Sequence, residues 1–173
     1  MGDIAQPRER VRAAAELQAP LHVVLVEPQI APNTGNVARL CAATGCALHL
    51  VEPLGFSIDD RALKRAGLDY WHAVDLAVHP SLDEALAQFG LERSWFSSTH
   101  ATRSFAEAGF AYGDALFFGK ETQGLPERLV RSHPARALRI PMRAEAVRSL
   151  NLSTAVGIVT YAALARLGFP ALR

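Results

Sequence analysis

The chain is 173 residues long, half of them hydrophobic and a fifth charged, with a formal net charge of +1. This length supports one domain with its own core and no need of disulfides. No apolar run reaches the ~18 residues of a membrane helix, and the start MGDIAQPRERVRAAAELQAP is too charged for a signal peptide, so a cytoplasmic protein without a membrane partner is expected.

Residues 1–20 carry Arg8, Arg10 and Arg12 without an apolar face and read as an N-terminal arm before a single domain over residues 21–170. From Leu21, LHVVLVEP is a strand buried on both faces and stopped by proline. PNTGNVARLCAATG follows as a strand-to-helix turn and a helix, with Val37, Leu40, Cys41 and Thr44 on the buried side, Arg39 off it, and Gly45 at the end. ALHLVEP repeats the strand signature. Strand, helix, strand within about thirty residues make a βαβ unit and hence a parallel sheet. DDRALKRAG is a helix capped by Asp59 or Asp60, and HAVDLAV is a strand. SLDEALAQFG is a helix with Ser81 as N-cap and Glu84 at the capping-box position, and SWFSST is the next strand. ALFFG is the fifth strand, followed by the loop KETQGLP and a short helix opened by Pro126. A half-buried strand over residues 137–142, stopped at Pro141, leads into the longest helical pattern. There Leu152, Val156, Val159, Ala163 and Leu167 recur at helical spacing, Asn151 and Ser153 stand at the start, and Gly168 and Pro170 at the end. The expected fold is α/β, an open, mainly parallel six-stranded sheet with helices on both faces.

Of eighteen basic residues only Lys64 and Lys120 are lysine. Arginine suits bidentate phosphate contacts, and GC-rich coding gives the same bias, so the composition allows RNA without requiring it. Cys41 and Cys46 lack C-x-x-C spacing and read as reduced core residues. The histidines form no H-x-x-x-H or H-E-x-x-H pattern, so no metal is expected.

Ligands of open α/β sheets sit beyond the carboxyl ends of the strands, where three turns carry unusual residues. Neither G-x-G-x-x-G nor a P-loop is among them, which disfavours dinucleotide-binding, kinase and NTPase readings. In the first turn Asn33, Gly35, Asn36 and Arg39 read N-x-G-N-x-x-R. The asparagines and glycine also serve plain turn chemistry, whereas Arg39 off the core face points to a phosphate or substrate contact. In the second, Gly119, Glu121 and Gly124 read G-x-E-x-x-G. Glycine lets backbone approach a ligand closely, and the glutamate either bonds a ligand group or is a solvated loop charge. In the third, Ser149, Asn151 and Ser153 flank open helix amides, which hold an anionic or polar ligand group or are simply capped.

Together, in this order, the three turns resemble the motifs of the SPOUT superfamily of RNA 2′-O-methyltransferases. The resemblance runs from Leu21 to Pro170 and is closest to the small wobble-position TrmL/YibK type, through VEPQIAPNTGNVARLCAATG, LHLVEPLGF, RAGLDY, FGKETQGLP, RIPM and SLNLSTAV. It implies S-adenosyl-L-methionine as cofactor, held in a C-terminal trefoil knot by Ser97, Gly119, Ile140 and Ser149. It also implies a homodimer in which the partner's first motif completes each site, and a catalytic set of Arg39, Glu121, Ser149 and Asn151. Arginine stays protonated, so Arg39 is better suited to fixing a phosphate and stabilising an alkoxide than to accepting a proton.

The implied substrate is the wobble ribose of a tRNA anticodon loop. Its expected contacts are Asn33 and Asn36, then Arg61 and Arg65 on one helix beside Tyr70 and Trp71, and Arg143 and Arg148 near the cofactor turn. The family's connector often carries lysine where His100 stands. Other readings are methylation of another tRNA or rRNA ribose, a non-catalytic RNA-binding protein of the same fold, and a general nucleotide-binding α/β protein.

Overall fold

The apolar runs become six strands: β1 (Leu21–Val26), β2 (Ala47–Val51), β3 (Leu76–His79), β4 (Ser94–Ser97), β5 (Asp114–Phe118) and β6 (Ala137–Leu138). They form one sheet in the order β3-β2-β1-β5-β4-β6, with every pairing parallel. The structure, a computed structural model, describes residues 18–58, 73–143 and 145–173. Most of the expected N-terminal arm and the helix expected over DDRALKRAG, with Arg61, Lys64, Arg65, Tyr70 and Trp71, lie outside them.

Among the described residues, α1 (Ala31–Thr44) leads from β1 to β2, α2 (Leu82–Phe89) from β3 to β4 and α3 (Glu127–Ser132) from β5 to β6, and α4 (Leu152–Arg166) follows β6. They cover both faces of the sheet, so the central strands are apolar at consecutive positions rather than alternate ones. Leu21, Val23, Leu25, Leu48, Leu50, Leu116 and Phe118 pack towards Val37, Cys41, Val156 and Val159 of α1 and α4. Val24, Val26, Phe96 and Phe117 pack on the other face, towards Ala85 of α2 and Val130 of α3. Cys41 and Cys46 are free thiols in the first of these layers.

Several boundaries differ from the sequence reading. Asn33, Gly35 and Asn36 were expected in a strand-to-helix turn, yet they lie with Arg39 within α1, which begins at Ala31 and carries a proline in its first turn. Proline's fixed φ suits that turn, and its missing N–H is not needed there. Pro126 is the N-cap of α3 rather than its first helical residue. The strand expected over residues 137–142 is reduced to Ala137–Leu138, because its partner β4 ends at Ser97. Beyond that point Arg139 bonds the connector instead, its N–H donating to the Arg103 carbonyl and its carbonyl accepting from Phe105. Ser81 caps α2 through the Glu84 amide as expected, and Gly45 ends α1 at φ 70.

β1 lies inside the sheet, with β2 and β3 on one side and the later strands, in the spatial order β5, β4, β6, on the other. Such a reversal opens a crevice at the carboxyl ends of the strands. No described helix is long and apolar enough to cross a membrane.

Candidate active site at the strand ends

A cavity of about 420 Å³ occupies that crevice, within the ~300–1,000 Å³ usual for ligand sites. Three distant segments wall it: Ser97 to His100 after β4, Phe118 to Gly124 after β5, and residues 140–155 approaching and entering α4. Ile30 and Asn33 at the start of α1 close the fourth side.

Glu121 ties these pieces together. Its carboxylate accepts from the backbone N–H of Gln29 (2.8 Å) and Ile30 (3.1 Å) and from Asn33 Nδ2 (3.1 Å). The N-cap residue Ile30 has no side chain able to satisfy the open amides of α1, so a carboxylate from the β5 loop supplies the negative charge that this helix end favours. Asn33 Oδ1 in turn accepts from Asn151 Nδ2 at 3.0 Å. Asn151 is the N-cap of α4, and its Oδ1 accepts from the amides of Ser153 (2.9 Å) and Thr154 (3.3 Å). One hydrogen-bonded chain, Glu121–Asn33–Asn151, therefore fixes two helix starts and one loop around the same space. The Asn151–Asn33 bond alone joins residues 118 positions apart.

Gly119 makes the tight loop possible. A Cβ there would stand 1.9 Å from the carbonyl carbon of Gly124 and 2.0 Å from the Leu125 nitrogen. The loop closes on itself through the Gly124 amide to the Lys120 carbonyl at 2.8 Å, and Gly124 turns it at φ 70. Beneath it Lys120 Nζ pairs with Glu27 at 2.7 Å, and Gln29 Oε1 accepts from Thr122 N (3.2 Å) and Oγ1 (2.8 Å).

Ser97, Gly119, Ile140 and Ser149, named from the sequence as cofactor contacts, all line the cavity, as do Glu121, Asn151, Asn33 and Arg148. Arg39 and Asn36 are exposed on α1 and do not line it in a single chain. Arg143 is also exposed and pairs with Glu145 at 3.2 Å. Arg61 and Arg65 lie outside the described residues. Sequence reasoning missed Glu27 and Gln29 as anchors of the β5 loop, and nothing local marks them, since their partners stand 93 positions later. His100, noted from the sequence only as standing where the family's connector often has lysine, lines the cavity as well.

A model of the SpoU rRNA Methylase family matches residues 20–161. The chain belongs to this family. Among curated SpoU relatives it is 46% identical over 149 residues to a tRNA (cytidine(34)-2′-O)-methyltransferase of Saccharophagus degradans, covering 86% of this chain and 96% of that protein. It is 44% identical over 151 residues to the Escherichia coli (strain K12) protein of that name, covering 87% and 96%. A solved structure described as "Structural insights into the 2-OH methylation of C/U34 on tRNA" superposes with a TM-score of 0.81 at 46% identity, covering 87% of this chain and 97% of that one. An rRNA methyltransferase from Sinorhizobium meliloti, solved with AdoMet bound, shares the fold at 22% identity and a TM-score of 0.75, covering 87% and 57%.

Proposed function

We propose that this SpoU-family chain methylates the ribose 2′-hydroxyl at the wobble position of a tRNA anticodon loop, on cytidine or uridine, with S-adenosylmethionine as donor. The observation that carries the reading is the cavity closed by the Glu121–Asn33–Asn151 chain, in a protein 46% and 44% identical, over 86% and 87% of its length, to enzymes named for that reaction.

The cavity suits the donor. Ile140, Leu150 and Leu152 offer apolar walls for an adenine, while Ser97 and Ser149 offer hydroxyls. A side chain at residue 119 would collide with the Gly124 and Leu125 backbone of the same loop, so glycine there lets the loop fold tightly enough for residues 118–124 to line the cavity. When bound, S-adenosylmethionine supplies an electrophilic methyl group on a sulfonium. The protein's part is to hold the 2′-oxygen in line with that methyl, exclude water and stabilise the oxygen's growing negative charge. Glu121 and Asn151 keep the walls in register, and Arg148 meets phosphate or ribose at the rim.

The reading includes a homodimer and the threaded knot of the C-terminal segment. In support of the first, Arg39 is exposed away from its own cavity, and the outer side of α4 carries Tyr161 with Phe169 just beyond it, 46% and 44% exposed. A second copy covering this face would bring its Arg39 to the neighbouring cavity, where a guanidinium stabilises an alkoxide or fixes a phosphate. In support of the knot, residues 118–124 and 140–152 share one cavity wall. A cytoplasmic location goes with a tRNA substrate.

The test is transfer of labelled methyl from S-adenosylmethionine to tRNAs carrying cytidine or uridine at the wobble position. Label mapping to that nucleotide, and its loss when the ribose there is 2′-deoxy, is the expected result. Label at another tRNA or rRNA position, or none, overturns the assignment.

A further inference from the structure

The surface arginines differ in whether an acid cancels them. Arg93, Arg131 and Arg143 pair with Asp114, Glu127 and Glu145, and each pair presents little net charge. Four others are held without a carboxylate among the described residues. Arg103 donates to the Ala135 carbonyl at 2.9 Å and the Glu107 carbonyl at 2.7 Å, and Arg166 donates to the Ala106 carbonyl at 2.9 Å. Arg136 lies over Trp95, its guanidinium carbon 4.5 Å from the ring centroid, and the exposed Arg139 side chain has no partner among the described residues. Carbonyls and a ring fix a guanidinium in place and leave its positive charge standing.

All four stand along one border of the molecule. β6 ends the sheet order, and the connector after β4 runs beside it: the Arg139 N–H donates to the Arg103 carbonyl at 2.8 Å, and the Phe105 N–H to the Arg139 carbonyl at 3.0 Å. Arg103 and Arg136 share the Trp95 ring. The border starts at the donor cavity, which Ile140 lines, and recedes from it. Arg136 stands about 10 Å below Arg139 at the rise of a strand, and Arg166 sits at the far end of α4, whose start lines the cavity. Residues 99–113 and 133–140 hold three arginines and one acid, Glu107, a net +2 in a chain whose formal total is +1. The rest of the chain is net negative, so a polyanion is drawn to this border.

None of the large apolar side chains exposed among the described residues lies in these two segments, whereas the core of a protein–protein interface is rich in aromatic and other apolar groups. Guanidinium forks without carboxylates suit phosphates, and an RNA duplex is met through its backbone and shape rather than its base edges. We propose that the β6 border docks the phosphate backbone of the anticodon stem, the duplex that adjoins the loop, away from the reacting atoms. This inference rests on the tRNA reading of the cavity and adds a surface outside the three turns.

The experiment measures binding of the full chain to an anticodon stem-loop across a salt series, without turnover. The double variant Arg136→Gln, Arg139→Gln should bind about tenfold more weakly or worse at low salt, and its slope of log affinity against log salt should be shallower by about two. Its affinity for S-adenosylmethionine should equal that of wild type, which a general loss of structure would not allow. Arg139→Lys should keep the wild-type slope because the charge remains, and Arg131→Gln should keep it because that cation is already paired with Glu127. If Arg136→Gln unfolds with the loss of its ring contact, Arg139→Gln alone carries the test, with a slope change of about one. The single-stranded loop without its stem should bind wild type and double variant alike. An unchanged slope for the stem-loop overturns the docking, and so does an equal loss of affinity for the loop alone. Failure of the methyl-transfer reading looks different, since wild type then labels no tRNA whatever the salt slopes show.

Discussion

Glu121 stands out of the sequence only as the middle of G-x-E-x-x-G, an acid between glycines that a solvated loop explains as well as a ligand contact does. What it does lies in donors 92, 91 and 88 positions away, beyond the reach of any local pattern. Glu121→Gln keeps the shape but turns a donor towards N–H groups that need an acceptor. The expected cost is about 1–3 kcal/mol of unfolding free energy, read as a lower urea midpoint, together with weaker donor binding by calorimetry. Gly119 was legible for a related reason, since a glycine in a strand-end loop signals close backbone approach. Gly119→Ala puts a methyl 1.9 Å from a backbone carbon, a clash no rotamer relieves. At least the ~1–3 kcal/mol of an overpacked core should be lost, and donor binding should be lost with the loop's shape. A variant that still binds donor normally would show that the loop does not form the wall described.

At the scale of elements, strands were read correctly where burial on both faces made them continuous apolar runs, as in β1, β2 and β5. They were overextended where pairing decides length. The β6 pattern continues past Leu138, but β4 offers it no further partner, and such geometry is invisible in the sequence of β6 itself. The start of α4 was legible because its cap is local. Asn151→Ala should cost about 1 kcal/mol through the cap and more through the lost bond to Asn33, a drop that differential scanning calorimetry would register. Across β1, β2 and β3 runs a row that no periodicity announced: His22 Nδ1 to His49 Nε2 and His49 Nδ1 to His79 Nε2, each at 2.9 Å, with Phe89 packed against the first two. Burial, and secondarily Arg93, pushes His22 down to about 4. Burial also holds His49 well below and His79 below the ordinary value of 6.5. Below pH 6.5 the unfolded chain therefore takes up protons that the folded chain refuses, so stability is full above that pH and falls on acidification. The expected slope is about 1.4 kcal/mol per pH unit for each histidine involved, flattening as His22 protonates near 4. Urea midpoints that stay constant from pH 6.5 down to 4 would contradict a neutral row.

For the whole molecule, the sheet order β1-β5-β4-β6 brings the ends of β1, β5 and β6 to one edge although the chain visits β1 long before the other two, and this is what gathers the three motifs. The βαβ alternation made the parallel sheet readable, and the motif resemblance made the meeting of the turns readable. The exposed place of Arg39 suggests a site finished by another copy, which can be tested by mixing. Arg39→Ala and Asn151→Ala should each be inactive alone. Unfolded and refolded together at equal amounts, they should recover roughly a quarter of wild-type activity, because half the pairs then contain one intact site. No recovery would mean that each chain's site stands alone.

The hydrogen bond between Asn33 and Asn151 also has a bearing on synthesis. A nascent chain emerging from the ribosome displays Asn33 early, yet its partners Glu121 and Asn151 follow only 88 and 118 residues later. No truncated product ending before residue 151 can carry the finished pocket, so a partial chain lacks the walls that α4's start supplies.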